Sequence, residues 1–242
     1  MIAEGTLYSV ENWVLAPEGA IVHPLEKLAV IADVHLGYEW ARGKAGDSIP
    51  AHSLGETVER LGSLLRRFPE SIATLIVAGD LVESSRPCRR TADDLGHLKL
   101  WLDLQGIELV LLRGNHDPAI SKGCEHLFKF ESVREVDGWT IGHGHLPLPG
   151  SKTISGHIHP IFRFEGLSAP CFLVQRKAVL LPAFSRNAAG LDVLSRRVAS
   201  QFRGESPRCL VSTGEEILDF GTLSELAART LETRTIPQGQ RR

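Results

Sequence analysis

The chain has 242 residues, of which 43% are hydrophobic and 23% are charged, as is usual for a globular domain with a sizeable core. Its 27 basic and 29 acidic side chains give a formal net charge of −2, which excludes a protein that coats nucleic acid through a global positive field. The widely spaced Cys88, Cys124, Cys171 and Cys209 predict reduced thiols in the cytoplasm, not disulfides or a zinc site. We expect neither a signal peptide nor a membrane span.

Strands and helices are predicted to alternate in the first half of the chain. Short apolar runs separated by turn residues over 6–23 predict a meander of two or three strands. Three continuous apolar runs that follow are typical of strands buried on both faces: Leu28–Ala32, Ile72–Ala78 and Ile107–Leu112. Helical periodicity covers residues 52–67 and 91–104, with Thr91 as the expected N-cap. This order predicts crossover connections and a largely parallel sheet.

A second sheet of short strands is predicted for the second half. Its apolar runs cover residues 133–136, 139–142, 152–155, 161–164, 171–174 and 178–181. Because turn residues and no long helix separate these runs, we expect antiparallel pairing. A hairpin is predicted around Thr213-Gly214, followed by a short helix over Leu223–Leu231. We expect one domain over residues 1–232, with two sheets in contact and helices outside, and a mobile polar tail over 233–242.

Five predicted strand ends carry residues of the kinds that bind metal ions. They are Asp33-Val34-His35, Gly79-Asp80, Gly114-Asn115-His116-Asp117, Gly142-His143-Gly144-His145 and Gly156-His157-Ile158-His159. Each block alone has an ordinary explanation, since Gly-Asp and Gly-Asn open turns and alternate residues of a strand face the same way. Together the five blocks are specific, because ligands of α/β sheets bind at the carboxyl ends of the strands.

Seven side chains of these blocks are candidate metal ligands. They are Asp33, His35, Asp80, Asn115, His143, His157 and His159. Seven ligands are too many for one tetrahedral ion and suit two ions of higher coordination. A set of imidazole, carboxylate and amide oxygen without thiolate favours Mn²⁺, Mg²⁺, Fe²⁺ or Zn²⁺, of which we favour Mn²⁺. Two such ions about 3.5–4 Å apart form a clamp for phosphate-ester hydrolysis, and we expect Asp80 to lie between them.

The five blocks, in this order, resemble the calcineurin-like metallophosphoesterase family over the stretch from Asp33 to His159. The resemblance implies an α/β fold, a four-layer α-β-β-α sandwich of two mixed sheets packed face to face with helices outside. It implies one metal held by Asp33, His35, Asp80 and His159. It implies a second metal held by Asp80, Asn115, His143 and His157.

The resemblance also implies a catalytic residue and a narrower relationship. His116 resembles the family's non-ligand histidine, which contacts the scissile phosphate and can protonate the leaving oxygen. Glu83 stands where some members have an aspartate that orients this histidine. The stretch Leu180–Phe184 with Gly190-Leu191, together with Gly156–Pro160, resembles a bacterial and archaeal branch associated with DNA-repair ligases and helicases. That branch implies endonuclease-like activity.

The sequence therefore predicts a two-metal hydrolase of phosphodiester bonds, acting on DNA or RNA, single-stranded nucleic acid included. A metal-held water or hydroxide would attack phosphorus in line with the leaving oxygen. Arg86, Arg89, Arg90 and Arg113 are candidate phosphate contacts, although arginines at such positions are more often simply solvated, and His145 has no assigned role. Alternatives are a phosphatase or phosphodiesterase for a small metabolite or nucleotide, and a non-catalytic binding module. Nothing in the sequence marks an oligomer interface.

Overall fold

A computed structural model describes residues 8–122, 127–164, 166–195, 198 and 205–235. Cys124, His126 and residues 236–242 of the predicted tail lie outside the described residues. The predicted single domain over 1–232 stays a prediction. No helix in the described part of the chain is long and apolar enough to cross a membrane.

Within the described residues, the first sheet has seven strands that lie side by side in chain order. They are β1 Tyr8–Val10, β2 Trp13–Ala16, β3 Ala20–His23, β4 Leu28–Ile31, β5 Thr74–Ala78, β6 Glu108–Leu112 and β7 Lys129–Glu131. Strands β1 to β3 form the predicted meander, β4 pairs antiparallel with β3, and β4 to β7 pair in parallel. The carboxyl ends of β4, β5 and β6 therefore open at one edge of the sheet.

The second sheet departs from the antiparallel pairing expected for it. Its strands are β8 Arg134–Val136, β9 Trp139–Gly142, β10 Thr153–Ser155, β11 Pro160–Phe164, β12 Leu167–Gln175, β13 Ala178–Leu180, β14 Leu191–Asp192, β15 Arg208–Ser212 and β16 Ile217–Thr222. Strand β10 pairs in parallel with both β9 and β13, and β11 pairs in parallel with β14. The sheet is mixed because the loop over 143–152 carries the chain back along β9 before β10 starts. The hairpin of β15 and β16 is confirmed.

The α-helices whose bounds lie within the described residues are α1 Tyr38–Lys44, α2 Ser53–Arg67, α3 Arg89–Leu104 and α4 Leu223–Thr235. A 3₁₀ helix covers Asp117–Lys122. Helix α1 was not predicted, and the predicted cap Thr91 is wrong. Helix α3 begins two residues earlier because Cys88 is extended and its carbonyl accepts a hydrogen bond from Ala92 N at 3.0 Å. Helix α4 extends beyond the predicted Leu231.

Three apolar cores separate four layers of structure. Along β5, Leu75 and Val77 pack towards α2 and α3, whereas Ile76 and Ala78 pack against the second sheet. This alternation explains the uninterrupted apolar run, since both faces of the strand are buried. The third core joins the outer face of the second sheet to Leu223 of α4. The α-β-β-α sandwich is thereby confirmed.

Candidate metal centre

The five blocks meet at one edge of the sandwich, because each follows a strand whose carboxyl end opens there. Asp33 and His35 follow β4, Asp80 follows β5, Asn115 and His116 follow β6, His143 follows β9, and His157 and His159 follow β10. Blocks that are far apart in the chain are joined by backbone hydrogen bonds, as between Asp33 N and Gly79 O at 3.1 Å. The structure thus brings the seven predicted ligand residues together.

One cluster of ligand atoms consists of Asp33, His35 and His159, whose candidate ligand atoms lie within 4.8 Å of one another. His159 Nε2 lies 3.3 Å from Asp33 Oδ1 and 3.4 Å from His35 Nε2. Asp33 is fully buried, and its Oδ1 has no hydrogen-bond partner among the described residues. Because an unsatisfied buried carboxylate oxygen is costly, this cluster fits a bound cation.

The other cluster is centred on His143 Nε2. This atom lies 3.0 Å from Asn115 Oδ1, 3.1 Å from His157 Nδ1 and 3.2 Å from Asp80 Oδ2. A single ring nitrogen carries at most one hydrogen and cannot satisfy three neighbours at once. Three polar atoms at such distances fit a shared positive ion better than a hydrogen-bond network.

Oxygen atoms lie on the far side of three histidine rings, and two of these rings are hydrogen-bonded to them. His143 Nδ1 lies 3.0 Å from the Ala78 carbonyl oxygen, His35 Nδ1 lies 2.9 Å from Glu83 Oε2, and His159 Nδ1 lies 3.3 Å from the Ala189 carbonyl oxygen. Because carbonyl oxygens only accept, we assign the hydrogen of the neutral His143 and His159 rings to Nδ1, whereas His35 Nδ1 lies close to the Glu83 carboxylate without forming a hydrogen bond. Nε2 of His143 and of His159 then presents a lone pair to its cluster, as is usual for metal-binding histidines whose other ring nitrogen donates to an oxygen.

Neighbouring charged groups in the two clusters shift the pKa values of the ligand residues in the direction opposite to the shift caused by burial. Burial lowers the pKa of His143, but its hydrogen bond with Asp80 and the charge of Asp33 raise that pKa overall. His159 responds in the same way through Asp33. Burial raises the pKa of Asp80, yet the contacts with His143 lower it to about 2. The site is therefore built for positive charge, supplied either by protons or by metal cations.

Five of the seven candidate ligands have a left-handed backbone conformation. They are Asp33 (φ 57°), His35 (φ 51°), Asp80 (φ 50°), His157 (φ 71°) and His159 (φ 50°). Such conformations cost about 1–3 kcal/mol each for residues other than glycine and concentrate at functional sites. The surrounding strands must therefore stabilise the strained edge.

Glycines of two blocks leave room for a ligand of another block. A Cβ on Gly114 would overlap the backbone nitrogen and the carboxylate of Asp80, and a Cβ on Gly156 would overlap Asp33 Oδ2. Gly156 precedes His157, whose backbone nitrogen donates to that same Asp33 oxygen at 2.8 Å. These glycines are required by the close approach of the strand ends, not by turn geometry alone.

Asp117 is a structural residue of the site that the sequence interpretation missed. Its carboxylate accepts hydrogen bonds from Gly114 N at 2.8 Å, Asp80 N at 2.9 Å and Leu81 N at 2.8 Å. The side chain is buried, and burial raises its pKa. Asp117 thus ties the loop after β5 to the loop after β6. Its position inside the polar tetrad was the only signal, and that pattern did not distinguish it from a turn residue.

Glu83 has a different position from the one that the resemblance implies. Its carboxylate contacts the His35 ring, and its backbone carbonyl, not its side chain, lies 2.5 Å from His116 Nδ1. The His116 ring lies edge-on to the His35 ring, with 5.4 Å between centroids. The proton of neutral His116 is consequently placed on Nδ1, which leaves Nε2 available to a substrate.

A family comparison agrees with this geometry. The model of the calcineurin-like phosphoesterase family matches residues 26–174, which include the seven candidate ligands and His116. The chain belongs to the calcineurin-like phosphoesterase family. It is a metal-dependent phosphoesterase, and its two ligand clusters fit divalent metals.

Among the proteins that this phosphoesterase resembles are a DNA-repair protein and a nuclease. The DNA double-strand break repair protein Mre11 of Methanopyrus kandleri is 35% identical over 99 residues, which are 40% of this chain and 20% of that protein. The chain thus spans about a fifth of the length of that relative. A crystal structure of Pseudomonas putida nuclease MPE has a TM-score of 0.67 and covers 86% of this chain and 94% of that chain. At 23% identity, this similarity shows the fold.

The remaining polar residues singled out in the sequence lie around the phosphoesterase clusters or on the surface. The exposed His145 ring is 5.2 Å from the His143 ring centroid. Arg113 is exposed and lies over the Phe130 ring at 5.6 Å, and Arg90 lies over the Trp40 ring at 4.8 Å.

Proposed function

We propose that this phosphoesterase hydrolyses phosphodiester bonds of nucleic acid with two divalent cations. The observation that carries the proposal is the convergence of lone pairs and carboxylate oxygens in two adjacent clusters. His143 Nε2 in one cluster and His159 Nε2 in the other each face a carboxylate while their Nδ1 atoms are held by outer oxygens. Such paired clusters suit a two-metal site.

In this proposal, the two clusters hold one cation each, and Asp80 lies between them. Asp33, His35 and His159 hold the first cation, and Asn115, His143 and His157 hold the second. Asp80 Oδ2 faces His143, whereas Asp80 Oδ1 accepts a hydrogen bond from His116 N at 2.8 Å. The charge of Asp80 also contributes to raising the pKa of His159, which supports a position between the clusters. We favour Mn²⁺, and Mg²⁺, Fe²⁺ and Zn²⁺ suit the same ligands.

The cations, when bound, lower the pKa of water for attack on phosphorus and neutralise negative charge on the phosphoryl oxygens. The chain's own contribution is to orient the ligands through Glu83, Ala78 and Ala189 and to supply a proton donor. His116, whose Nδ1 hydrogen is held by the Glu83 carbonyl, would carry a second hydrogen on Nε2 in its protonated form and donate that hydrogen to the leaving oxygen. In-line hydrolysis then ends with a neutral alcohol or a sugar hydroxyl as the leaving group.

Two similarities support nucleic acid as the substrate. The similar proteins are named a DNA double-strand break repair protein and a nuclease. In addition, this chain has exposed arginines next to the ligand blocks, such as Arg86, which follows the Asp80 block. We propose single-stranded nucleic acid as the substrate and a role in DNA repair. The free Cys88, Cys171 and Cys209 fit the cytoplasmic location that we propose.

A substrate panel tests this proposal. With Mn²⁺, we expect hydrolysis of bis(p-nitrophenyl) phosphate and single-stranded DNA, weak hydrolysis of p-nitrophenyl phosphate, and loss of all activity with EDTA. Hydrolysis of the monoester alone would replace the nuclease with a small-molecule phosphatase. If a folded, metal-loaded chain hydrolyses none of the three, a binding module is the better description.

A further inference from the structure

A small cavity beside His159 contains two arginines and no acidic side chain. The cavity has a volume of about 160 Å³, and its polar lining comes from Arg60, His159, Ser185 and Arg186. Its remaining walls are apolar and include Pro160 and Pro170. A volume of that size holds about five water molecules and is large enough for a phosphate group.

Arg60 reaches the cavity from α2 and is held rigidly. Its Nη1 donates to the Phe184 carbonyl oxygen at 2.6 Å, and its guanidinium lies over the Phe184 ring at 4.7 Å. Burial and, to a smaller extent, the charge of Arg186 lower the pKa of Arg60 to about 10. The carboxylates of Glu18 and Glu56 act in the opposite direction, but Glu18 is bound to Arg67 at 2.8 Å. Within the described residues, no carboxylate lies within 4.0 Å of Arg60 or Arg186.

Arg186 reaches the cavity from a loop that is fixed by the segment directly after β4 and by the cluster of Asp33, His35 and His159. Ser185 N donates to the Asp33 carbonyl oxygen at 3.0 Å, and Phe184 N donates to the Ala32 carbonyl oxygen at 2.7 Å. Further along the same loop, the Ala189 carbonyl oxygen contacts His159 Nδ1. The loop is therefore anchored on both sides of Arg186 to residues that carry ligand side chains.

We infer that this cavity is an anion subsite that binds a non-scissile phosphate of a nucleic-acid strand, next to the phosphate held at the metal centre. Two guanidiniums without a carboxylate partner repel each other unless an anion lies between them. Phosphate suits this position because a guanidinium can donate two parallel hydrogen bonds to phosphate oxygens. The apolar walls suit the sugar or base attached to that phosphate. This inference rests on the proposed function and deepens it, because a phosphoester with a single phosphate has no second phosphate to place there.

The test compares arginine variants in binding and in hydrolysis. Binding is measured on the metal-loaded chain by fluorescence anisotropy with a labelled single-stranded oligonucleotide whose phosphorothioate linkages resist hydrolysis. For R186Q we expect a Kd about five- to tenfold higher, and a slope of log K against log salt that is smaller by about 0.7. In hydrolysis, KM for DNA rises more than kcat falls, so the preference for DNA over bis(p-nitrophenyl) phosphate decreases.

Arg66 provides the matched control. It lies on the same helix as Arg60 but is exposed and bonded to Ser63, so R66Q removes the same charge from another surface. Because Arg60 is partly buried, R60K is the variant of choice at this position. The lysine keeps the positive charge but cannot form the bidentate contact of a guanidinium, so we expect weaker oligonucleotide binding in a folded protein.

The outcomes separate the subsite from the proposed function. The subsite is overturned if R186Q binds the oligonucleotide with the same Kd as R66Q. It is also overturned if kcat/KM falls by the same factor for bis(p-nitrophenyl) phosphate as for DNA. Cleavage of DNA by such an R186Q chain would leave the nuclease proposal standing. Conversely, arginine-dependent binding by a chain that cleaves neither substrate would support the subsite and overturn the proposed function.

Discussion

Asp117 accepts a hydrogen bond from the backbone nitrogen of Asp80 at 2.9 Å, although the two residues lie at the ends of different strands. Asp80 has a left-handed backbone, and the same Asp117 carboxylate also accepts from Gly114 N. A side chain that lies in neither ligand cluster thus holds the loops from which two candidate ligands project. The orientation of the ligands in a metal site depends on such supporting contacts.

Asp117→Asn tests this support. The NH₂ group that replaces one carboxylate oxygen cannot accept the backbone hydrogens that this oxygen accepts, so we expect a loss of about 1.5–3 kcal/mol in the free energy of unfolding and weaker metal binding. Urea denaturation and metal analysis measure the two effects. Asp103→Asn is the control, since Asp103 pairs with Lys99 on the surface and such pairs contribute little. Equal stability of the two variants would contradict the supporting role.

His116→Ala tests the proton donor. We expect turnover to fall by about 10²–10⁴ while two metal ions per chain are retained, because His116 lies in neither ligand cluster. Steady-state kinetics and elemental analysis give both values. His97→Ala, on the exposed face of α3, is expected to behave like the unchanged protein. Intact turnover in His116→Ala would exclude the acid role.

Glu83→Gln tests whether Glu83 acts on the metal centre through His35. Its carboxylate lies 2.9 Å from His35 Nδ1, so the change removes the charge that orients this ring. We expect metal affinity to fall about 10–100-fold, while the Glu83 backbone carbonyl still holds His116. Metal titration measures the affinity, with the exposed Glu59→Gln as control. A change in kcat with unaltered metal affinity would instead connect the Glu83 side chain with His116.

Gly114→Ala tests the close approach of two strand ends. The added Cβ meets Asp80, so we expect a loss of about 1–3 kcal/mol in the free energy of unfolding and incomplete metal loading. Gly96→Ala is the matched control, because a Cβ there meets nothing within 4 Å inside α3 and is expected to stabilise by about 0.5–1 kcal/mol. If both variants were stabilised, the described contact of Gly114 with Asp80 would be wrong.

The pH dependence of stability is expected to change sign with metal. In chelated protein, the raised pKa values of His143 and His159 contribute stability that is complete below the ordinary value of 6.5 and is lost as pH rises through the folded-state values. His157, whose pKa burial lowers, opposes this contribution. With Mn²⁺, only deprotonated rings coordinate, so stability rises with pH over the same window.

Urea denaturation at several pH values, with EDTA or with Mn²⁺, measures these slopes. The lowered pKa of Asp80 adds stability that is present above its ordinary value of 3.8 and is lost as pH falls towards about 2. Slopes of the same sign with EDTA and with Mn²⁺ would show that these rings do not bind the metal.

The sequence alone determined the parallel core of the first sheet and the order of the ligand blocks. The run Ile72–Ala78 predicts a strand buried on both faces because every residue in it is apolar or small, and that property is local. The identity of His143 or Asp80 as a candidate ligand is also local, since it depends on the side chain and its place after a strand. The family then follows from five local patterns in a fixed order.

Tertiary structure alone decided which residues meet. Strand β10 runs parallel to β9 because of the path of a loop, and Glu83 contacts His35 because β4 and β5 lie side by side. Arg60 and Arg186, 126 positions apart in the printed sequence, share one cavity only because helix α2 packs over the loop that begins at Phe184. Periodicity describes how one segment is buried, whereas contacts between loops depend on the packing of every strand beneath them.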